Sequence, residues 1–416
     1  MIARLLVAVV AALLIGAGYV YWPVYQFFAQ RGEVWSPPIG WIDVPTDAPS
    51  AGSAFDPAYD AAGDTALAAL ATHRARIGAP AMSAAVAIDG RLVWAGATGW
   101  ADVKARRPAT AASKFRVGSV SKALTATALA RLVKDGVIDL DAPLSDYWSD
   151  LPNDAWASIT ARQLASHTAG LPHYSQNTDS SGLYHSVALQ KRYDDVRSAV
   201  DVFDGSELLF QPGESFHYSS FGTVLLGATM AEAAGAPYRE IMATEVFEPA
   251  GAGETIVSPR RGDADLLFTT PYAIDDGRAR PWRGVDLSHR LPGGGWASTP
   301  SDLARIGSLW LDDAFITPET RAEFWTPQRL NDGSVNEEGY AIGFRWRDAD
   351  AEFWLAANAN HGGVSRGGQA WLIVFPENRM VLAFAMNANT EEFVDFGRAY
   401  ADLYRAFAGI TPSHRP

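Results

Sequence analysis

The sequence predicts an α+β domain: an antiparallel sheet flanked by helices, with a mostly helical region inserted between its strands. Strand-like apolar runs sit at both ends of the domain. Neighbouring runs are joined by turns too short for a crossover helix, which requires antiparallel pairing. The stretch between them, from Gly136 to about Arg290, is rich in Gly, Pro, Asp and Ser and holds one clear helix.

Taken in order, the chain opens with "MIARLLVAVVAALLIGAGYVYWPVYQFF". Arg4 is its one charge before Arg31. A run of this length can cross a bilayer, which takes roughly 20 residues. Tyr21, Trp22 and Tyr25 would sit at the far interface. A cleaved signal peptide competes, but the run is long for one and no clear A-x-A site follows. Residues 1–28 are therefore expected to be a membrane anchor, with a signal peptide as the alternative. Arg4 leaves the body on the far side, so the chain reads as exported, anchored in the inner membrane and facing the periplasm. Residues 29–58 carry the five prolines of "GEVWSPPIGWIDVPTDAPSAGSAFDP" and read as an extended linker. The folded domain is expected over 59–412.

Within it, residues 64–77 predict a helix, with Asp64 as cap and Gly78 and Pro80 as stops. Two apolar runs around Asp89-Gly90 predict a hairpin. "FRVGSVSKALTATALARLV" predicts a helix that ends at Gly136. A second helix is expected over 220–234. Runs 340–346, 370–375 and 380–386 predict strands, the last two joined by "PENR", and 391–407 predicts a closing helix.

Composition removes several functions. The chain has 416 residues, 48% of them hydrophobic, which is ample for a large core. A net charge of −13 argues against nucleic acid, because phosphate binding needs a basic face. Cysteine is absent, which removes disulfides, thiolate metal sites and cysteine nucleophiles together. The eight histidines show no HExxH or similar ligand spacing, so neither a metal nor another cofactor is expected.

Three stretches bear chemistry. In Ser119-Val-Ser-Lys122, helical spacing puts Ser119 on the face of Lys122 and turns Ser121 away. The start of a helix also favours developing negative charge. A serine becomes a useful nucleophile beside a base, and lysine serves only if burial or a nearby cation lowers its pKa. The second stretch, "FQPGESFHYSSFGTVLLG", sets Tyr218 just before a helix. A buried tyrosine near a lysine can have its pKa lowered and act as a general base. The third is "NHGGVSRGGQAWLIVF", where His361-Gly-Gly leads toward a strand and its glycines would let a substrate backbone approach. It also contains Gly363-Val-Ser365-Arg-Gly367, which matches a nucleophile elbow. A strand-like run rather than a helix follows it, and the one later histidine is His414, so Ser365 is rejected as nucleophile. Each stretch also has a plain structural reading: a helix cap, a core tyrosine and a loop histidine.

Together the three resemble the serine β-lactamase and penicillin-binding-protein superfamily, in its class C-like branch of D,D-carboxypeptidases, esterases and the mitochondrial serine β-lactamase-like protein. "DGVIDLDAPLSDYW", "TARQLASHTAGLPHY" and "GGGWASTPSDLARIG" extend the resemblance, which runs from about Ala81 to about Asn389. It implies a β-lactamase/transpeptidase-like fold and an acyl-enzyme on Ser119. It implies that Lys122 helps to deprotonate Ser119 and lowers the pKa of Tyr218, which shuttles protons. The backbone N–H groups of Ser119 and Val364 would form the oxyanion hole, beside Gly363. His167 reads as structural.

Two positions depart from the commonest pattern. Ser220 stands where an Asn usually holds the substrate amide, and a hydroxyl cannot offer both a carbonyl and an NH₂. His361 stands where a Lys usually steadies a substrate carboxylate, and histidine is mostly neutral at pH 7. Both suit a peptide or ester without a carboxylate next to the scissile bond better than efficient β-lactam turnover. The expected partner is a small-molecule or peptide substrate, acted on by a serine hydrolase without metal. The alternative is an inactive relative kept as a binding or scaffold module, self-associating like its mitochondrial counterpart.

Overall fold

The structure, a computed structural model, describes residues 2–260, 263, 265–350 and 355–409. Its main sheet contains β1 (Ser50–Ala54), β2 (Ala81–Ile88), β3 (Arg91–Asp102), β4 (Arg345–Arg347), β5 (Asn358–Ser365), β6 (Gly368–Phe375) and β7 (Met380–Met386). Their order is β4-β5-β6-β7-β2-β3-β1, and every pair is antiparallel. The β2–β3 hairpin turns at Asp89 and Gly90, both with positive φ, which is the turn whose twist suits a two-residue hairpin. The N-terminal hairpin joins the C-terminal meander through β7 and β2, with Met386 opposite Met82.

Every residue of β2 and β7 is buried, because both faces of the sheet are covered. On one face Met82, Val86, Leu382 and Phe384 share a core with the helices α2 (Asp60–Ile77) and α6 (Ala399–Ala408). On the other, Ala85, Ala87, Val381 and Ala383 share a core with α3 (Val120–Lys134), α4 (Ser220–Ala234) and α5 (Pro300–Leu309). These last helices border the region between the strands, which is mostly helical as expected.

A small three-stranded sheet does the local positioning. Phe115–Arg116 pairs with Trp296–Ser298, which pairs with Ile256–Val257. The Val117 N–H then donates to the Trp296 carbonyl at 3.2 Å, so the turn that delivers Ser119 is held two residues before it.

Several expectations change. The linker is not a free tether: β1 pairs with β3, and Ile42–Asp43 pairs with Arg278–Pro281. β1 reads "SAGSA" and gives no apolar alternation, yet its smallness is its fit. A Cβ on Gly52 would lie 3.3 Å from Trp94 Nε1. Run 340–346 is not one strand. Arg345–Arg347 joins the main sheet and Tyr340 makes an isolated bridge to Arg345, while Gly343 has a φ of +71° and its N–H donates to the Ala165 carbonyl. The histidine "loop" is the full strand β5, whose glycines hid it. The helix at 64–77 begins earlier, at Asp60, and the closing helix divides into Phe393–Gly397 and α6. The expected end of the domain, at 412, and His414 lie outside the described residues.

Asn387, just past β7, locks the closure of the sheet. Its Oδ1 accepts from the Ala81 N–H at 2.8 Å, and its Nδ2 donates to the carbonyls of Trp100 and Thr270. Asn387→Ala leaves these buried groups unpaired, at a cost of about 2–4 kcal/mol. A clear fall in the thermal or denaturant midpoint checks this, and an unchanged midpoint refutes it.

Candidate active site

Ser119 is the residue before α3, at its N-cap, and its side chain makes no capping hydrogen bond. The hydroxyl is therefore available elsewhere. Lys122, one turn on, is buried, and its Nζ lies 3.2 Å from Ser119 Oγ. The same nitrogen lies 2.8 Å from Ser220 Oγ and 2.8 Å from the Gly293 carbonyl. Ser121 is fully buried, and its Oγ accepts from the Trp296 N–H. The helical-spacing choice of Ser119 over Ser121 therefore agrees with the geometry.

Burial pushes the Lys122 pKa well below 10.5, and the charges of Arg345 and Arg290 push it the same way. Among the described residues no carboxylate pairs with Lys122. The contact set fits a neutral amine, which has two N–H bonds and one lone pair. The N–H bonds can serve Gly293 O and Ser220 Oγ, leaving the lone pair for the Ser119 hydroxyl.

Tyr218 packs beside this group, with Lys122 Nζ 4.8 Å from its ring centre. Here an expectation fails. The Tyr218 pKa is pushed up to about 12, chiefly by burial, although a hydrogen bond with Ser119 and the charge of Arg345 act downward. Desolvation outweighs the nearby cation, and a neutral Lys122 gives little help. At neutral pH Tyr218 is therefore the protonated phenol and not a ready base.

His361 also differs from the expectation. It is fully buried, its Nε2 lies 2.8 Å from the Tyr340 hydroxyl, and its Nδ1 lies 2.7 Å from the Gly362 carbonyl. The carbonyl can only accept, so Nδ1 carries the proton and Nε2 accepts from Tyr340. Burial, then Arg345 and Lys122, push its pKa well below 6.5. Both ring nitrogens are occupied, so in this arrangement His361 supports Tyr340 and does not reach into the cleft. His167 completes a neutral layer behind Tyr218. Its ring centre lies 4.3 Å from that of Tyr218 and 4.5 Å from that of Tyr340, and its Nδ1 accepts from the Ser219 N–H.

The glycines have a sharper role than expected. A Cβ on Gly363 would fall 2.0 Å from the Val117 carbonyl and 2.8 Å from the Ser119 nitrogen. A Cβ on Gly118, whose φ is +52°, would fall 2.7 Å from the Val364 nitrogen. What approaches β5 is the nucleophile's own turn. This contact brings the backbone of Gly363 and Val364 in β5 up against the turn that carries Ser119. Ser365 ends β5 and is followed by a turn and then β6, so no elbow forms.

Ser119, Tyr218, Ser220 and Val364 line one cavity of about 1320 Å³. Sequence reading missed four contributors to this site: Gly293, Arg345, Tyr340 and His173. Gly293 and His173 sit in stretches that carried the resemblance, but nothing in their residue types signals a lysine acceptor or a partner for the Ser220 N–H. Among the described residues there is no cluster of ligands able to hold a metal ion.

A family model described as Beta-lactamase matches residues 64–407. The chain belongs to the beta-lactamase family. As a member of this family it is 25% identical over 395 residues to the mouse serine beta-lactamase-like protein LACTB, mitochondrial, covering 72% of this chain and 68% of the relative. For the human protein of the same name the match is also 25% and spans 64% of its length, just under two thirds. Esterase EstB of Burkholderia gladioli is 30% identical over 259 residues, covering 59% of this chain and 62% of the esterase. Among solved structures, the D-amino acid amidase from Ochrobactrum anthropi has the same fold as this beta-lactamase-family chain. It superposes with a TM-score of 0.67 at 23% identity, over 83% of this chain and 98% of the amidase.

The depressed Lys122 pKa is directly measurable. In ¹³C-lysine-labelled protein, the Lys122 signal is expected to titrate well below 10.5. Arg345→Met removes a cation that disfavours the ammonium, so it moves this titration to higher pH. An ordinary lysine titration, or no shift in the variant, contradicts the assignment.

Proposed function

We propose that the chain is a serine hydrolase that cleaves ester or amide bonds through an acyl-enzyme on Ser119. The observation that carries this is the contact set of Lys122: two neutral oxygen acceptors and the Ser119 hydroxyl, with no carboxylate among the described residues to hold a proton on it. A lysine kept neutral beside a serine is a general base.

In this reading the Ser119 proton passes to Lys122 as Oγ bonds to the substrate carbonyl carbon. The carbonyl oxygen takes the negative charge, and the N–H groups of Ser119 and Val364 hold it. One such donor is worth about 3 kcal/mol of transition-state stabilisation. When the intermediate collapses, the bond to the leaving group breaks, and the Tyr218 hydroxyl protonates that group. Tyr218 recovers its proton from the Lys122 ammonium. Water then attacks the acyl-enzyme, its proton returns through Tyr218 and Lys122, and Ser119 leaves reprotonated. A tyrosine that is protonated at neutral pH suits the donor step.

The substrate in this reading lacks a carboxylate beside the scissile bond. A buried, neutral His361 offers such a group no charge, and Ser220 Oγ is engaged by Lys122. Esters and peptides fit better than β-lactams. The helix α1 (Ile2–Gln30) is long and apolar enough to cross a membrane, and we read it as an anchor holding the domain on the periplasmic face of the inner membrane. The names of the relatives agree with hydrolysis. The non-catalytic scaffold reading has no observation in its favour, since Ser119, Lys122 and Tyr218 are all present and in contact.

A fluorophosphonate probe tests the chemistry. The wild type labels on Ser119, Ser119→Ala loses the label, and Ser121→Ala keeps most of it. Ester hydrolysis falls by roughly 10³-fold or more in Ser119→Ala. Equal labelling of the wild type and Ser119→Ala would refute the proposal.

A further inference from the structure

The catalytic cavity has an unexpected wall. Residues 4–22 of α1 are exposed along their whole length, but from Pro23 the helix becomes buried or half-buried. The exposed stretch is about 28 Å long at 1.5 Å per residue, close to the roughly 30 Å of a hydrocarbon core. The remainder docks on the domain. Phe27 packs with Leu189, Val285 and Leu287, and the Tyr184 hydroxyl donates to the Val20 carbonyl at 3.2 Å. Val24, Phe27 and Phe28 line the same cavity as Ser119. Trp22 stacks on Tyr25 at the end of the exposed stretch. Phe27 is therefore only about 8 Å along the helix axis from the aromatic residue that marks the bilayer interface.

The cavity wall also carries two arginines without an acidic partner among the described residues, and Arg366 has no part in the chemistry above. Arg366 lies between two rings, 4.4 Å from the centre of Phe27 and 5.9 Å from that of Trp282. Its buried Nε has no hydrogen-bond partner. Arg290 stacks 3.7 Å from the centre of Tyr174 and donates only to the Ser186 carbonyl and to His289 Nε2, both neutral. Among the described residues, no acidic side chain forms an ion pair with Arg366 or Arg290. Both line the cavity, as do Leu183 and Val187 of the helix docked on α1. An uncompensated guanidinium in such a place is costly unless an anion meets it.

We infer that the acyl donor is a membrane-borne amphiphile whose alkyl chain lies along Val24, Phe27 and Phe28 and whose anionic group is met by Arg366 and Arg290. This rests on the acyl-enzyme reading. Arg290 is held by His289 and Ser186, and Arg366 by the rings of Phe27 and Trp282, so an anion on them is compatible with the neutral surroundings of His361. The anchor then does more than retain the enzyme, because it forms the slide between bilayer and nucleophile.

The full chain in phosphatidylcholine vesicles, hydrolysing p-nitrophenyl acetate, supplies the test. Dodecyl phosphate, dodecanol and inorganic phosphate serve as inhibitors. In the wild type, dodecyl phosphate should inhibit at least about 100-fold better than inorganic phosphate, since each buried CH₂ contributes. It should also inhibit about tenfold better than dodecanol, as one charge-assisted contact predicts. Phe27→Ala should shrink the first ratio, and Arg366→Gln should abolish the second. Ratios within one protein cancel a general loss of folded enzyme. Inorganic phosphate matching dodecyl phosphate would mean a soluble anion and overturn the inference, as would ratios unchanged in both variants. In either case Ser119-dependent acetate hydrolysis would still stand. A wild type no more active than Ser119→Ala would overturn both readings.

Discussion

One amino group sets the terms for this molecule: Lys122 must sit in the interior without a negative partner. An ammonium there would cost several kcal/mol. The protein surrounds the nitrogen instead with three uncharged oxygens, from α3, from α4 and from the turn at Gly293. Those elements must meet at one point, and close packing enforces it. A Cβ on Gly293 would lie 3.0 Å from the Ser220 carbonyl, so the turn touches the start of α4 directly. Ser219 caps α4 by accepting from the Gly222 N–H and donates to the Pro172 carbonyl, which fixes the helix end that presents Ser220.

The groups behind Lys122 obey the same constraint. Tyr218, Tyr340, His167 and His361 form a layer of rings in which burial raises the tyrosine pKa values and lowers those of the histidines. Both trends favour the uncharged form. A neutral layer adds no charge to compete with Arg345 and Arg290, so the field at Lys122 is cationic and disfavours the ammonium. His167 adopts a φ of +64°, uncommon for a residue with a Cβ. That backbone cost is tolerated where the ring is packed against Tyr218 and Tyr340.

How legible all this was depends on the range of the interaction. Helix periodicity and short turns act locally, so α3, α4, the Asp89-Gly90 hairpin and β7 could be read with their ends nearly right. Ser119 and Lys122 share one helix face, and three-residue spacing suffices to pair them. Tyr218 stood out as a tyrosine before a helix, but its link to Lys122 and the place of Ser220 came from the resemblance. β1 and β5 escaped because Gly, Ala and Ser carry no alternation, although close backbone approach is what makes those residues fit there. The state of His361 and the pKa of Tyr218 were out of reach for a different reason. Both depend on which long-range neighbours exclude water, and no residue type records that.

The substitutions at Ser220 and His361 take on a different sense beside the arginines. The commonest pattern of the superfamily that the sequence resembles has Asn and Lys at these positions. Here both positions are turned inward, one to Lys122 and one to Tyr340. Positive charge is not lost from the cavity, because Arg345, Arg290 and Arg366 all line it. In the proposed reading Arg290 and Arg366 meet an anionic group, and the apolar surface that α1 contributes beside Arg366 takes the alkyl chain. In the proposed reading specificity and membrane attachment share residues, and Phe27 belongs to both.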